Sequence, residues 1–229
     1  MSVTVNNPAV VIEGSLKGGS TIRGGSQTNI VNAHGSGNTI IESGGNDVVN
    51  AGTGSATVTT GSGDVVVNLS GKNNTVNGGN GNITVNMQTS SNSDVKLGSG
   101  TDSIIEAAGS KGGNTFILTG SHASLTLYGA NDVAFIHSGT DAIADHTQGL
   151  EVKVGKEGGV IDLTGFGADK TGFIDLVGGI GGFKTPKAVV AALQSDGHGG
   201  TLLSFGAAGH IDFVGVAVGT LKAASFQIG

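Results

Sequence analysis

The sequence predicts an all-β protein: a β-solenoid, similar to a parallel β-helix, of strand-and-turn units about nine residues long, followed by a small C-terminal β-rich module with one short helix. Three observations carry this. The 229 residues include 44 glycines and only 2 prolines, with no G-X-Y period, which excludes collagen and leaves a turn-rich β protein. Short β-branched clusters recur at Ile30, Ile40, Val48, Val58, Val66, Val76, Val85, Val95, Ile104, Phe116, Leu125, Phe135, Ile143 and Val152, with most steps between 8 and 10 residues. Between them lie HGSGN, SGGND, GTGSA, GSGD, GGNGN and GSGTD, where glycine supplies positive φ and Asn or Asp tolerates it.

A strand of four or five residues cannot bury its apolar face alone, so such units must stack, each pairing its backbone with the next coil. Two units make a coil of about eighteen residues. All eight phenylalanines and Tyr128 lie at or after Phe116. The early coils are therefore expected to be thin and aliphatic, and the later ones wider. The repeats are expected to fill residues 1–155, with a boundary near Gly155 to Thr164 and a capping module over 156–229. In that module VIDLTGF and GFIDLVGG read as strands. Thr185 and Pro186 open a helix through Gln194, as N-cap and first helical residue. GTLLSFGAAGHIDFVGV reads as two strands joined by Gly206 to Gly209.

The composition excludes several partners. Eleven basic residues, one of them the lone Arg23, stand against seventeen acidic ones, for a net charge of -6, so no basic surface is expected for nucleic acid or anionic lipid. No apolar run reaches the roughly 18 residues of a membrane span. The opening MSVTVNNPAV lacks the order of a cleavable signal peptide, which on its own predicts a cytosolic protein. The absence of cysteine agrees with a reducing compartment and equally with secreted repeat proteins.

With these residues in view, the chain resembles the RTX family, bacterial calcium-binding β-roll proteins exported by the type I system through an uncleaved C-terminal signal. The repeats from about Asn29 to Gly155 carry the period. DGHGGTLLSFGAAGHIDFVGV and LKAASFQIG look like the family's C-terminal module. The resemblance implies a location outside the cell, or on a bacterial cell surface, and a possible Ca2+ cofactor at a few sites. The family nonapeptide G-G-x-G-x-D-x-U-x binds calcium through its aspartate and glycine carbonyls. Here LGSGTDSII keeps that aspartate as Asp102, whereas HGSGNTII has Thr39, AGTGSATV has Ala56 and GGNGNITV has Ile83. Asp47, Asp64, Asp132 and Asp141 stand one place early in shortened turns. The candidate metal ligands are thus Asp47, Asp64, Asp102, Asp132 and Asp141, with Asp47 and Asp64, or Asp132 with Asp141, as the pairs to inspect. The alternative is that these aspartates cap their own turns.

Asparagine replaces aspartate at Asn29, Asn32, Asn38, Asn46, Asn50, Asn73, Asn74, Asn77, Asn80, Asn82 and Asn86. Stacked amides can bond coil after coil without the repulsion of an aspartate column. Catalytic patterns are missing: no phosphate loop follows GGSTIRGG, and the six histidines lack metal-site spacing, although His137 and His146 could stack on one face. No carboxylate pair with Arg or Lys marks a sugar-cleaving face. Thr57 and Thr59 make a T-x-T of the ice-binding type, but equivalent threonines are not expected in successive coils. The expected function is therefore a secreted, non-enzymatic structural protein that self-associates into a filament, surface layer or biofilm matrix, through an adhesive first coil in VTVNNPAVVIEG that has no capping helix. The rivals are a calcium-dependent adhesion module and a protein acting on extracellular, cell-surface or matrix polysaccharide.

Overall fold

A computed structural model describes residues 2–4, 11–14, 17–167 and 171–229. The chain winds as a parallel β-solenoid of about 9 turns, with one short helix and a few further strands near the C-terminus. One coil advances 18 residues between Asn29 and Asp47, 19 between Ile83 and Asp102, and 21 between Ser93 and Asn114. Each coil contributes one strand to each of two facing sheets, and each strand pairs with its counterpart a coil away, about 4.8 Å distant. In the first sheet one inward column runs from Ile22 through Ile40, Val58, Val76, Val95 and Phe116. In the second the matching column runs from Ile12 through Val31, Val49, Val67, Val85, Ile104 and Leu125. These side chains are buried almost completely. The interior of the early coils is thus dry and aliphatic, as β-branched residues of limited reach require when two sheets close on each other.

The turns stack as tightly as the strands. A Cβ added to Gly63 would lie 1.6 Å from the carbonyl oxygen of Gly45, and one on Gly81 would lie 2.0 Å from that of Gly63. Glycine here serves close approach between successive turns as well as positive φ.

The expected boundary near Gly155 does not interrupt the ladders. Gly159–Thr164 pairs in parallel with Val133–Asp145 on one side and with Gly209–Val214 on the other. Phe173–Leu176 likewise joins Glu151–Val154 to Phe226–Ile228. Residues 156–229 therefore continue the same column and then close it. Thr201–Ser204 adds antiparallel to Gly209–Val214, and Gln194–Ser195 adds beyond it, which ends the parallel register of the second sheet. The helix Pro186–Ala192 is capped by Thr185, whose hydroxyl accepts the Ala188 N–H at 3.2 Å, and its Val189 is fully buried. Phe213 packs between Phe166 and Phe226, at centroid distances of 5.7 and 6.2 Å. These three rings thus fill the interior of the last coils.

At the other end, Ser2–Thr4 pairs with Thr21–Arg23, and Val11–Glu13 with Ile30–Asn32. Residues 5–10 of the expected adhesive segment lie outside the described residues.

Candidate functional site: buried acids at the corners and a ladder on the face

Where the chain leaves a corner and opens a strand, the first inward residue has a particular task. The N–H of the strand-opening residue one coil below has no partner in the strand ladder, and a side chain from the coil above accepts it. In the first sheet Asn38 accepts the N–H of Ser20 at 3.0 Å, Asn74 that of Ala56 at 2.9 Å, and Asn114 that of Ser93 at 3.0 Å. Aspartate does the same elsewhere. Asp47 Oδ1 accepts from Asn29 N at 2.7 Å, Asp102 from Ile83 N at 2.9 Å, Asp132 from Asn114 N at 2.8 Å, and Asp141 from Ala123 N at 3.1 Å.

This placement sets the two aspartate pairs apart. Asp47 is in register with Val65, so Asp64, one residue short of a full coil, turns to the opposite side of its strand and is exposed. There Asp64 Oδ1 accepts from Asn82 Nδ2 at 2.9 Å. Asp132 opens a strand of the first sheet and Asp141 one of the second, so the sheets hold them apart. Asp102 and Asp141 share an inward column with Ala123 between them. Among the described residues no group of three or more His, Asp or Glu could hold a metal. At Asp102, Asp132 and Asp141 the structure shows capping, and each caps the coil beneath rather than its own turn.

Burial raises the pKa of all four inward aspartates, and Asp132 and Asp141 are pushed up to about 7. For Asp141 desolvation dominates, the Ala123 N–H opposes it, and the charge of Asp102 adds to it. A folded-state pKa above the unfolded one means that the folded chain holds a proton that the unfolded chain releases. The stability from this proton is full below about pH 4 and is lost as pH rises towards 7. Asparagine keeps the acceptor without needing the proton. Asp141→Asn is therefore expected to gain about 1–3 kcal/mol over wild type at pH 8 and close to nothing at pH 4, as read by urea unfolding at both. A stabilising carboxylate ligand at this position would give the opposite sign.

Two buried glutamates went unnoticed in the sequence, although period two reveals them: Glu42 follows the inward Ile40 by two residues, and Glu106 follows Ile104. Glu106 is 1 % exposed and is well supplied. Its Oε1 accepts from Asn114 Nδ2 at 2.7 Å and Ser110 Oγ at 3.3 Å. Its Oε2 accepts from the Tyr128 and Gly129 N–H groups at 2.8 and 2.7 Å. Asp132 lies within hydrogen-bonding reach of this carboxylate, while its own Oδ2 has no donor. Oxygen facing oxygen favours a proton between them, and burial, then the Glu106 charge, push the Asp132 carboxyl up to about 7, so that it takes up this proton as pH falls through neutrality. Glu42 has none of this support: it is 1 % exposed, and both carboxylate oxygens are without partners.

The outward faces carry regular columns. On the second sheet Asn86 Nδ2 donates to Asn68 Oδ1, Asn68 to Asn50, Asn50 to Asn32, and Asn32 to Glu13 Oε1, at 2.9, 2.7, 2.7 and 2.6 Å. The amides thus form the expected stack, a polarised chain ending on a carboxylate. His34 Nε2 lies 3.0 Å from the other Glu13 oxygen. The hydrogen bonds from Asn32 and His34 lower the pKa of Glu13. Beside this ladder Val11, Ile30, Val48 and Val66 form an outward aliphatic column. On the first sheet Thr21, Thr39, Thr57 and Thr75 lie in register. Threonines therefore do recur, contrary to expectation, because these coils share one length. The second position of the T-x-T does not recur: Arg23, Ile41, Thr59 and Asn77 succeed one another. His146 stacks on Tyr128 at 4.7 Å rather than with His137.

No helix among the described residues is long and apolar enough to cross a membrane. No protein-family model matches the chain, and neither does any curated protein sequence.

Proposed function

We propose that this is a non-catalytic structural protein whose copies associate laterally into a filament, surface layer or matrix outside a bacterial cell. One observation supports association above all: the outward face of the second sheet, where Val11 and Ile30 are 62 % and 41 % exposed and continue through the half-buried Val48 and Val66, flush against the amide ladder. An exposed aliphatic column beside stacked amides, repeated at the coil spacing, presents the same pattern to every copy of the chain and so suits self-recognition between flat sheets. The closing antiparallel strand Thr201–Ser204, with the short Gln194–Ser195 beyond it, disfavours growth by strand addition at that end, which makes the face the better route. The extracellular location rests on the resemblance of the C-terminal segment to type I export signals.

The test is light scattering and electron microscopy of the purified protein. Concentration-dependent assemblies are expected, with Ile30→Lys/Val66→Lys weakening association by about tenfold or more at unchanged circular dichroism. A monodisperse monomer at high concentration, with and without calcium, would refute the proposal.

A further inference from the structure

The outward face of the second sheet changes character along the solenoid. Its aliphatic column, Val11 to Val66, continues through Thr84 and Ser103 and ends on Asp162 and Asp212, side by side in adjacent strands. The amide column stops as well, since Asn86 is followed in register by Ile105. The patch that carries both columns is therefore confined to the first five strands of this sheet, from Val11–Glu13 to Ile83–Met87, with Asp47–Asn50 at its centre. The columns lie two residues apart on each strand. Asn32, Asn50 and Asn68 each use one hydrogen and one lone pair in the ladder, and an amide has a second of each for another partner.

Turning a second copy over to meet the first face to face reverses either the strand direction or the solenoid axis, and keeps the other. With the axes parallel the strands oppose, so the order of the columns is reversed and the valines of one copy face the amides of the other. The amides then lose water without gaining partners, which is costly. At equal height Glu13 would meet the partner's Val11, and the two acid ends would lie level with each other. With the axes antiparallel the strands keep their direction, so aliphatic faces aliphatic and amide faces amide. Apolar area is buried and the amides' remaining donors and acceptors find each other. The ladder dipoles act in the same sense: every Nδ2 points towards Glu13, and aligned amide dipoles attract a neighbouring row only when it runs the other way. Centred on Asp47–Asn50, the antiparallel pair sets Glu13 opposite the partner's Asn86 and carries the acid ends away in opposite directions.

We infer, resting on the self-association proposed above, that two copies of this chain pair face to face through the second sheet of their first five coils, with their solenoid axes antiparallel about a two-fold axis. The same patch serves both partners, so the contact closes on itself as a pair. The C-terminal halves project from it in opposite directions, and the pair is the unit from which the larger assembly is built.

The chain has no cysteine, so a single introduced one carries a spin label at a defined place. The test is pulsed electron resonance on two full-length variants, each checked for unchanged circular dichroism. Ser62 is exposed in the turn leading into Val65–Leu69, next to the centre of the patch. Labels on Ser62→Cys are expected within about 30 Å of each other in either orientation, and so report pairing through this face alone. Thr140 is exposed and lies five coils beyond the centre. At about 4.8 Å per coil, labels on Thr140→Cys are expected about 50 Å apart in the antiparallel pair and under about 30 Å apart in a parallel one. A short distance at Ser62 with the long one at Thr140 is the expected result. Short distances at both sites overturn the antiparallel arrangement and leave association through this face standing. No short distance at Ser62 overturns the pairing itself; if light scattering still shows assemblies, the copies meet through another surface, and if it shows only monomers, the proposed association falls too.

Discussion

Glu106→Ala is expected to lower the unfolding free energy by about 3–5 kcal/mol, measured by urea unfolding at pH 7. The loss has several parts. The Tyr128 and Gly129 N–H groups, now at 2.8 and 2.7 Å from Oε2, would be left without their acceptor at a buried corner. The Asn114 amide, at 2.7 Å from Oε1, would lose its partner, and the Asp132 carboxyl would lose the acceptor for its proton. Each unsatisfied buried group costs about 1–3 kcal/mol, and water entering the vacated space offsets some of this. Asp132→Asn tests the arrangement from the other side: its Nδ2 can donate to Glu106 as the proton did, so a gain at pH 8 is expected. A double-mutant cycle on the two positions should show strong coupling. A loss under about 1 kcal/mol for Glu106→Ala would mean that the corner is already wet and that the carboxylate is not its organising group.

Phe213→Ala is expected to cost about 3–5 kcal/mol through the cavity it leaves. Phe213 is fully buried, lies 5.7 Å from Phe166 and meets the edge of Phe226 at 88°. It ends the inward column of the second sheet, in the coil that the closing hairpin and helix cover. In a stacked repeat each coil relies on its neighbours, so damage should spread from that end. Hydrogen exchange should show loss of protection first in Gly159–Thr164 and Gly209–Val214 and last in the early coils around Val49 and Val58. Uniform loss along the whole chain would show a single cooperative unit instead.

Much of this architecture is legible in the residues. The glycine turns and β-branched clusters predict the strands, and every one of the fourteen cluster positions lies in a strand. Thr185 and Pro186 mark the helix start, and Gly206 to Gly209 marks the hairpin turn. The facing of each strand is less legible. In pairs such as Ile30–Val31, Val48–Val49 and Val66–Val67 both members are aliphatic, so alternation does not say which turns inward, and in each case the second does. At Ala134–Phe135 the smaller residue is inside and the ring is outside, under Lys153 Nζ at 5.2 Å from its centroid.

The acids show the same limit. A spacing of 17 suggested that Asp47 and Asp64 meet, but a coil of 18 places them on opposite sides of the sheet. With period-two alternation, a difference of one residue exchanges core for solvent. The sequence by itself determined the repeat, its turns and the closing helix, since these depend on local conformational preference and on an apolar period that no single coil can bury. Only the tertiary structure decided which acids share a corner and which columns face outward, because coil-on-coil register is set by pairing between residues a full turn apart.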